Sequence, residues 1–227
     1  YRKRKVRPNH VWLQAGERQR LLDAFQRRFR ETNSWPTLRD YAMVLVALTS
    51  GVRTSELRAL KVEYFDFEAH VIRLPGSITK TSQGRDVPFT ESRVKKIVWE
   101  AIEWHRRFFG KTPGIPLFCT ETGTQMSEEN FLRRFKRVAK DVGVNLTPYK
   151  LRHLFSAISI ASGAVDISCV QETMGHASLS TTAQYLKFDN KRMVNAYRRA
   201  NILGLSPEDS DIAPASIRKG RRLRKAA

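Results

Sequence analysis

Residues 41–48 read Tyr-Ala-Met-Val-Leu-Val-Ala-Leu, eight apolar residues in succession. A membrane span needs about 20, so this run is far too short to cross a bilayer. An apolar segment of this kind is expected to form a helix, over 37–50, with other elements packed around it. The segments on either side fit that role. Leu21, Leu22, Phe25 and Phe29 recur at helical spacing within 12–29, and 33–36 (Asn-Ser-Trp-Pro) reads as a loop. After Gly51, the stretch G-V-R-T-S-E-L-R-A-L starts a short helix at Thr54 or Ser55. Residues 62–89 then change from helical period to alternation. The segments 62–67, 70–74 and 85–89 predict a small antiparallel sheet, its second turn near 81–84 polar and ending in Gly84. Helical period returns over 91–109 (Val94, Ile97, Val98, Ile102) and again after Ser127, an N-cap with Glu128 and Glu129 in the first turn. A Pro/Gly loop (110–116) and the short apolar piece Leu117-Phe118-Cys119 lie between these two helices. The class expected is α+β, mostly α-helical, with one small antiparallel sheet.

The stretch 147–187 carries most of the unusual chemistry. Thr147 is a natural N-cap and Pro148 suits a first helical position, where no N–H is needed. Leu151, Phe155 and Ile158 give the helix its apolar face, and Gly163 stops it. Tyr149 and Arg152 stand three apart on it, a spacing that puts them on one side. His153 is about 100° further round, which suggests a supporting role. Asp166 opens a second helix that Gly175 closes, leaving His176 just beyond. Ser178 or Ser180 caps a third, with Tyr185 in its second turn.

At these residues the chain resembles the C-terminal active-site block of the tyrosine recombinases, the family of phage integrases and Xer-type recombinases. That pattern is H-x-x-R, then L-G-H, then a tyrosine nine residues beyond the last histidine. Here Arg152 stands in L-R-H-L-F, M-G-H ends at His176, and Tyr185 is nine residues on. S-G-V-R-T-S-E-L likewise resembles the family's T-G-x-R-x-S-E-L, with Arg53 as its arginine. T-K-T-S-Q-G-R-D-V-P-F resembles the hairpin segment that carries the family's lysine, pointing to Lys80 rather than Lys61. The usual flanking glycines are missing there, and Tyr149 replaces the first histidine of H-x-x-R. Tyr197 is rejected as a rival nucleophile because no histidine precedes it by nine residues.

The resemblance implies a tyrosine recombinase catalytic domain over 11–205, preceded by a basic arm (1–10) and followed by a disordered basic tail (206–227). An amphipathic helix over 190–203 is expected to dock on a neighbouring subunit, through Met193, Val194, Tyr197 and Ile202. The partners implied are double-stranded DNA and further copies of the chain, a tetramer on DNA. Charge agrees independently. With 41 Lys+Arg against 22 Asp+Glu, the net charge of +19 suits a polyanion, nucleic acid ahead of an anionic membrane. The basic face after Ser127 (Arg133, Arg134, Lys136, Arg137, Lys140) suits either phosphate contact or plain solvation. Cys119 and Cys169 are too few for a disulfide framework, which fits a reducing compartment. The location expected is the prokaryotic cytoplasm, in association with the nucleoid, or that of a phage- or plasmid-encoded protein. The chain begins at Tyr1, so a longer protein with an upstream domain is expected.

Phosphoryl transfer needs an in-line nucleophile, cations around the non-bridging oxygens and a proton for the leaving oxygen. Arg53 and Arg152 offer planar forks charged at any working pH. Tyr185 is the expected nucleophile and His176 a phosphate or tyrosine contact; Lys80, as the resemblance implies, is the general acid. No carboxylate cluster with metal-ligand spacing occurs among these motifs, in keeping with an expected reaction that uses no metal or other cofactor. Tyr149 can donate a hydrogen bond but is a poor base near neutrality, leaving water or His176 for that task. Site-specific recombination of a mobile element is the function expected. Its rivals are a type IB-like topoisomerase, a telomere resolvase, or a relative that binds DNA with weakened catalysis.

Overall fold

The structure is a computed structural model that describes residues 15–175. Helix α1 (Ala15–Thr32) buries the stripe Leu21, Ala24, Phe25 and Phe29. Asn33, at φ 42°, turns the chain out of α1, and α2 (Trp35–Ser50) begins two residues later with Pro36 in its first turn. The expected loop is therefore only two residues long, because Pro at a helix start forfeits no hydrogen bond.

Helix α2 is buried on every side along its length and packs against α1, against four of the helices that follow and against one strand of the sheet. Tyr41, Ala42, Met43, Val44 and Val46 have no exposed surface, the outcome anticipated from the apolar run. Burying one Leu- or Val-sized side chain contributes about 1.5–3 kcal/mol, so this helix supplies a large share of the hydrophobic stabilisation. Its two charged residues, Arg39 and Asp40, are both buried and paired: Asp40 accepts from Arg39 Nη2 (3.3 Å) and from Arg134 Nε (2.6 Å). Burial pushes the Asp40 carboxyl above its ordinary value, and Arg39 and Arg134 work against that push. Arg134 thus turns inward from a face expected to be outward and basic. Arg133, Lys136, Arg137 and Lys140 on the same helix are exposed.

Gly51 ends α2 at φ +65°, a conformation costly for other residues; a Cβ there would also lie 2.4 Å from the Phe155 ring. Helix α3 (Thr54–Ala59) follows directly. The sheet is smaller than its sequence pattern suggests. Residues 62–64 form a single 3-10 turn, leaving β1 (Phe65–Asp66) only two residues long beside β2 (Val71–Leu74) and β3 (Arg85–Pro88). The order is β1-β2-β3, antiparallel throughout, with Ile72 opposite Val87 and Leu74 opposite Arg85. Ile72, Leu74 and Val87 point into the core. The β2–β3 connection is long and includes a 3-10 turn over Gly76–Ile78; its left-handed residue is Ser82, at φ 56°, rather than Gly84.

Helix α4 (Ser92–Phe109) packs Val94, Ile97, Val98, Ala101 and Ile102 inward, and Leu117, Phe118 and Cys119 beyond it are fully buried. Ser127 Oγ accepts the Asn130 N–H (3.1 Å) to open α5 (Glu128–Asp141), which carries the basic face and Arg134. Then come α6 (Pro148–Ser162) and α7 (Ile167–Met174), where Asp166 Oδ1 accepts the Ser168 N–H at 2.7 Å. Among the described residues no helix is long and apolar enough to cross a membrane. The arm (1–10), the third helix of the motif, the 190–203 helix and the 206–227 tail lie outside the described residues.

Candidate active site

The last turn of a helix leaves carbonyl oxygens without helical partners and carries the negative end of the helix dipole. At the end of α7 three consecutive carbonyls each meet a guanidinium. Arg85 Nε donates to Thr173 O (2.9 Å), Arg152 Nη2 to Met174 O, and Arg53 Nη2 to Gly175 O (3.0 Å). The three arginines come from β3, α6 and the residue before α3. They are separated widely in sequence and united only by the fold.

Each has a local reason to be there. Arg152 faces inward from the first half of α6, is 6% exposed, and gives its Nη1 to Gly51 O at 2.5 Å. That bond ties α6 to the glycine turn that launches α3. Arg53 is the N-cap residue of α3, and its side chain keeps 22% of its surface open. Glu56, three residues on, closes back over it: Oε2 accepts the Arg53 backbone N–H (2.8 Å) and Oε1 accepts Arg53 Nη1 (2.9 Å). Arg85 then binds the same carboxylate with two parallel bonds, Nη1 to Oε1 (3.0 Å) and Nη2 to Oε2 (2.7 Å). Glu56 has no exposed surface. Burial alone would raise its pKa, but the bonds from Arg85 and Arg53 prevail and hold it below its ordinary value. The carboxylate is therefore ionised at neutral pH, and three guanidiniums against one carboxylate leave this corner cationic. Such an arrangement suits a tetrahedral oxyanion.

The other predicted residues stand apart from this cluster. Lys80 is exposed on the β2–β3 connection, away from the Glu56 carboxylate that Arg53 and Arg85 share. Tyr149 is 63% exposed. Its ring meets that of His153 edge to face, with centroids 4.7 Å apart. The i, i+3 spacing therefore puts Tyr149 beside Arg152 along α6 without giving the two side chains the same environment. His176 and Tyr185 lie outside the described residues; the described chain ends at Gly175, the residue before His176. Arg85 and Glu56 escaped the sequence reading. The Arg53-to-Glu56 spacing of three was a usable signal for Glu56, whereas nothing local marks Arg85 in a strand pattern. Among the described residues no group of three His, Cys, Asp or Glu side chains is gathered as a metal site would require.

A helical domain built on a buried central helix, with a three-stranded antiparallel edge and paired arginines at one helix end, has the tyrosine recombinase catalytic-domain fold. Residues 11–192 match the phage integrase family, and the chain belongs to it. It is 32% identical over 170 residues to the tyrosine recombinase XerA of Pyrococcus furiosus, covering 73% of this chain and 56% of that protein. The chain thus spans little more than half the length of that relative. Among solved structures, a XerA recombinase superposes with a TM-score of 0.65 at 26% identity, covering 88% of this chain and 67% of the other. The integrase of transposon Tn1549, in complex with circular intermediate DNA, gives 0.66 at 21% identity over 84% of this chain and 67% of the other. That second likeness speaks to fold alone.

Proposed function

We propose that the chain is the catalytic domain of a site-specific recombinase that cuts and rejoins duplex DNA through a 3′-phosphotyrosine intermediate. The observation that supports this best is the convergence of Arg53 and Arg152, from two separate motifs, on the carbonyls that immediately precede His176. In this reading the two guanidiniums hold the non-bridging oxygens of the scissile phosphate. The Tyr185 oxygen attacks phosphorus and gives its proton to water or His176 as the new P–O bond forms. The bond to the 5′-oxygen breaks, and Lys80 supplies the proton that this oxygen takes. His176 steadies the phosphate or Tyr185, and Tyr149 donates a hydrogen bond to the same phosphate. The phosphotyrosine ester conserves the energy of the phosphodiester, so a 5′-hydroxyl from a second strand reverses the attack without an added energy source.

Integration or excision of a mobile element is the use we propose for this chemistry. Four strands are cut in joining two duplexes, so four copies act together, with the 190–203 helix of one docking on the next. The net charge of +19 supports a DNA partner, and affinity for duplex should fall steeply with salt. The decisive test is covalent trapping. Tyr185→Phe should abolish the protein–DNA adduct and leave duplex affinity nearly intact. An adduct that persists in this variant and maps to Tyr197 would overturn the assignment. Sequencing the DNA trapped on the unmodified protein would then identify the element.

A further inference from the structure

A buried carboxylate bonded to Arg53 is an awkward neighbour for a phosphate site. Glu56 accepts two bonds from Arg53, one from the backbone and one from the guanidinium. Left alone with Arg53, it would neutralise the charge that the oxyanion requires. It is not left alone, because Arg85 covers both of its oxygens in a fork. Arg85 is itself nearly enclosed, its side chain 8% exposed. Its Nε is fixed on Thr173 O, and a Cβ on Gly175 would come within 3.2 Å of that Nε. The guanidinium is therefore held between Glu56 and the last turn of α7, with its donors already engaged. Of the two arginines that share Glu56, Arg85 is the more enclosed and the one with the bidentate grip. Arg53 is the more open, at 22%.

We propose that Arg85 is a positioning residue that acts through Glu56: it keeps the carboxylate engaged so that the charge of Arg53 is directed to the phosphate. The inference rests on the reading of Arg53 as an oxyanion ligand. It also gives β3 a second task. The strand that follows the Lys80 connection anchors the charge balance of the arginine pair and the turn leading to His176.

The same network could be merely a strut, and the two roles differ in one respect. If Arg85 acts by occupying Glu56, removing the Glu56 charge as well should repair the loss; removing a second member of a strut should deepen it. The measurement is calorimetric binding of tungstate, a tetrahedral oxyanion, to the full chain, with melting temperatures in parallel. Arg85→Gln should weaken tungstate binding by about tenfold or more, the scale of one charge-assisted hydrogen bond. Glu56→Gln added to it should restore affinity to within about threefold of the unmodified protein, even with a lower melting temperature. Should Arg85→Gln fail to fold, Arg85→Lys keeps the charge but loses the fork; it should bind more weakly, and Glu56→Gln should again restore it. A double variant that binds no better than the single one, or an Arg85 variant that binds like the unmodified protein, would overturn the inference. Tungstate binding that Arg53→Gln leaves unchanged would instead overturn the oxyanion reading beneath it.

Discussion

The two halves of the site are built differently. Arg53, Arg152, Arg85 and Glu56 are tied to one another or to main-chain carbonyls of Gly51 and the end of α7, with bonds reaching across as many as 122 residues of sequence. Lys80 and Tyr149 sit on exposed surface, one on a strand connection and one on the first turn of α6. The enclosed half would stabilise charge, which benefits from dipoles fixed before the substrate arrives. In the exposed half Lys80 would supply a proton and Tyr149 a hydrogen bond, and that geometry can be completed when DNA and Tyr185 come together. Disturbing the first half should therefore damage stability and chemistry together, and disturbing the second should damage chemistry alone.

The largest effect is expected at Arg152. Arg152→Gln withdraws donors from Gly51 O and Met174 O and removes a cation from the phosphate. Single-turnover cleavage should fall by about 10²- to 10³-fold, and the melting temperature should drop with it. Lys80→Ala should slow cleavage by about a hundredfold, the lower range for a lost general acid, with an unchanged melting curve. A melting shift for Lys80→Ala as large as that for Arg152→Gln would break the division between the halves. Tyr149→Phe should slow cleavage by roughly tenfold, the scale of one lost hydrogen bond to a charged group. Tyr149→His should cleave faster than the parent, most clearly below about pH 8, where imidazole accepts a proton and phenol does not. A silent Phe variant would reduce Tyr149 to a packing partner of His153.

Much of the fold was legible in sequence because its signals are local. The 41–48 run, the apolar stripes of α1 and α4, the Ser127 and Asp166 caps and the Gly163 stop are read within a few residues of themselves, and they stand where periodicity puts them. The sheet was less legible. A 3-10 turn took residues that alternate like a strand, and Ser82 adopted the left-handed turn conformation that composition would assign to Gly84. In the site, Arg53 and Arg152 were found through short motifs. Arg85 was invisible because its meaning lies in Thr173 and Glu56, 88 and 29 residues away. The inward turn of Arg134 onto Asp40, across 94 residues, was hidden for the same reason.

Two smaller effects sharpen the picture of the enclosed half. Gly175→Ala would force a left-handed φ of +57° on alanine and press its Cβ toward Arg85 Nε. A loss of about 1–2 kcal/mol in stability is expected from the backbone alone. Glu56 gives a pH signature. Its folded pKa is depressed, so its contribution to stability is complete above the ordinary glutamate value and fades as pH falls through the folded one. Melting temperatures recorded on acidification should decline less steeply for Glu56→Gln than for the parent. Parallel curves would mean that Glu56 carries no net stabilising charge.

The division of labour is tested most directly by changing the leaving group. A duplex containing the trapped sequence can carry sulfur in place of the bridging 5′-oxygen at the scissile phosphate, and a thiolate departs without needing a proton. Single-turnover cleavage of this substrate should bring Lys80→Ala to within about tenfold of the unmodified protein, while Arg53→Gln stays slow because its loss concerns the phosphate oxygens. Equal rescue of both variants, or rescue of Arg53→Gln alone, would contradict the assignment of charge stabilisation to the enclosed arginines and proton transfer to the exposed lysine.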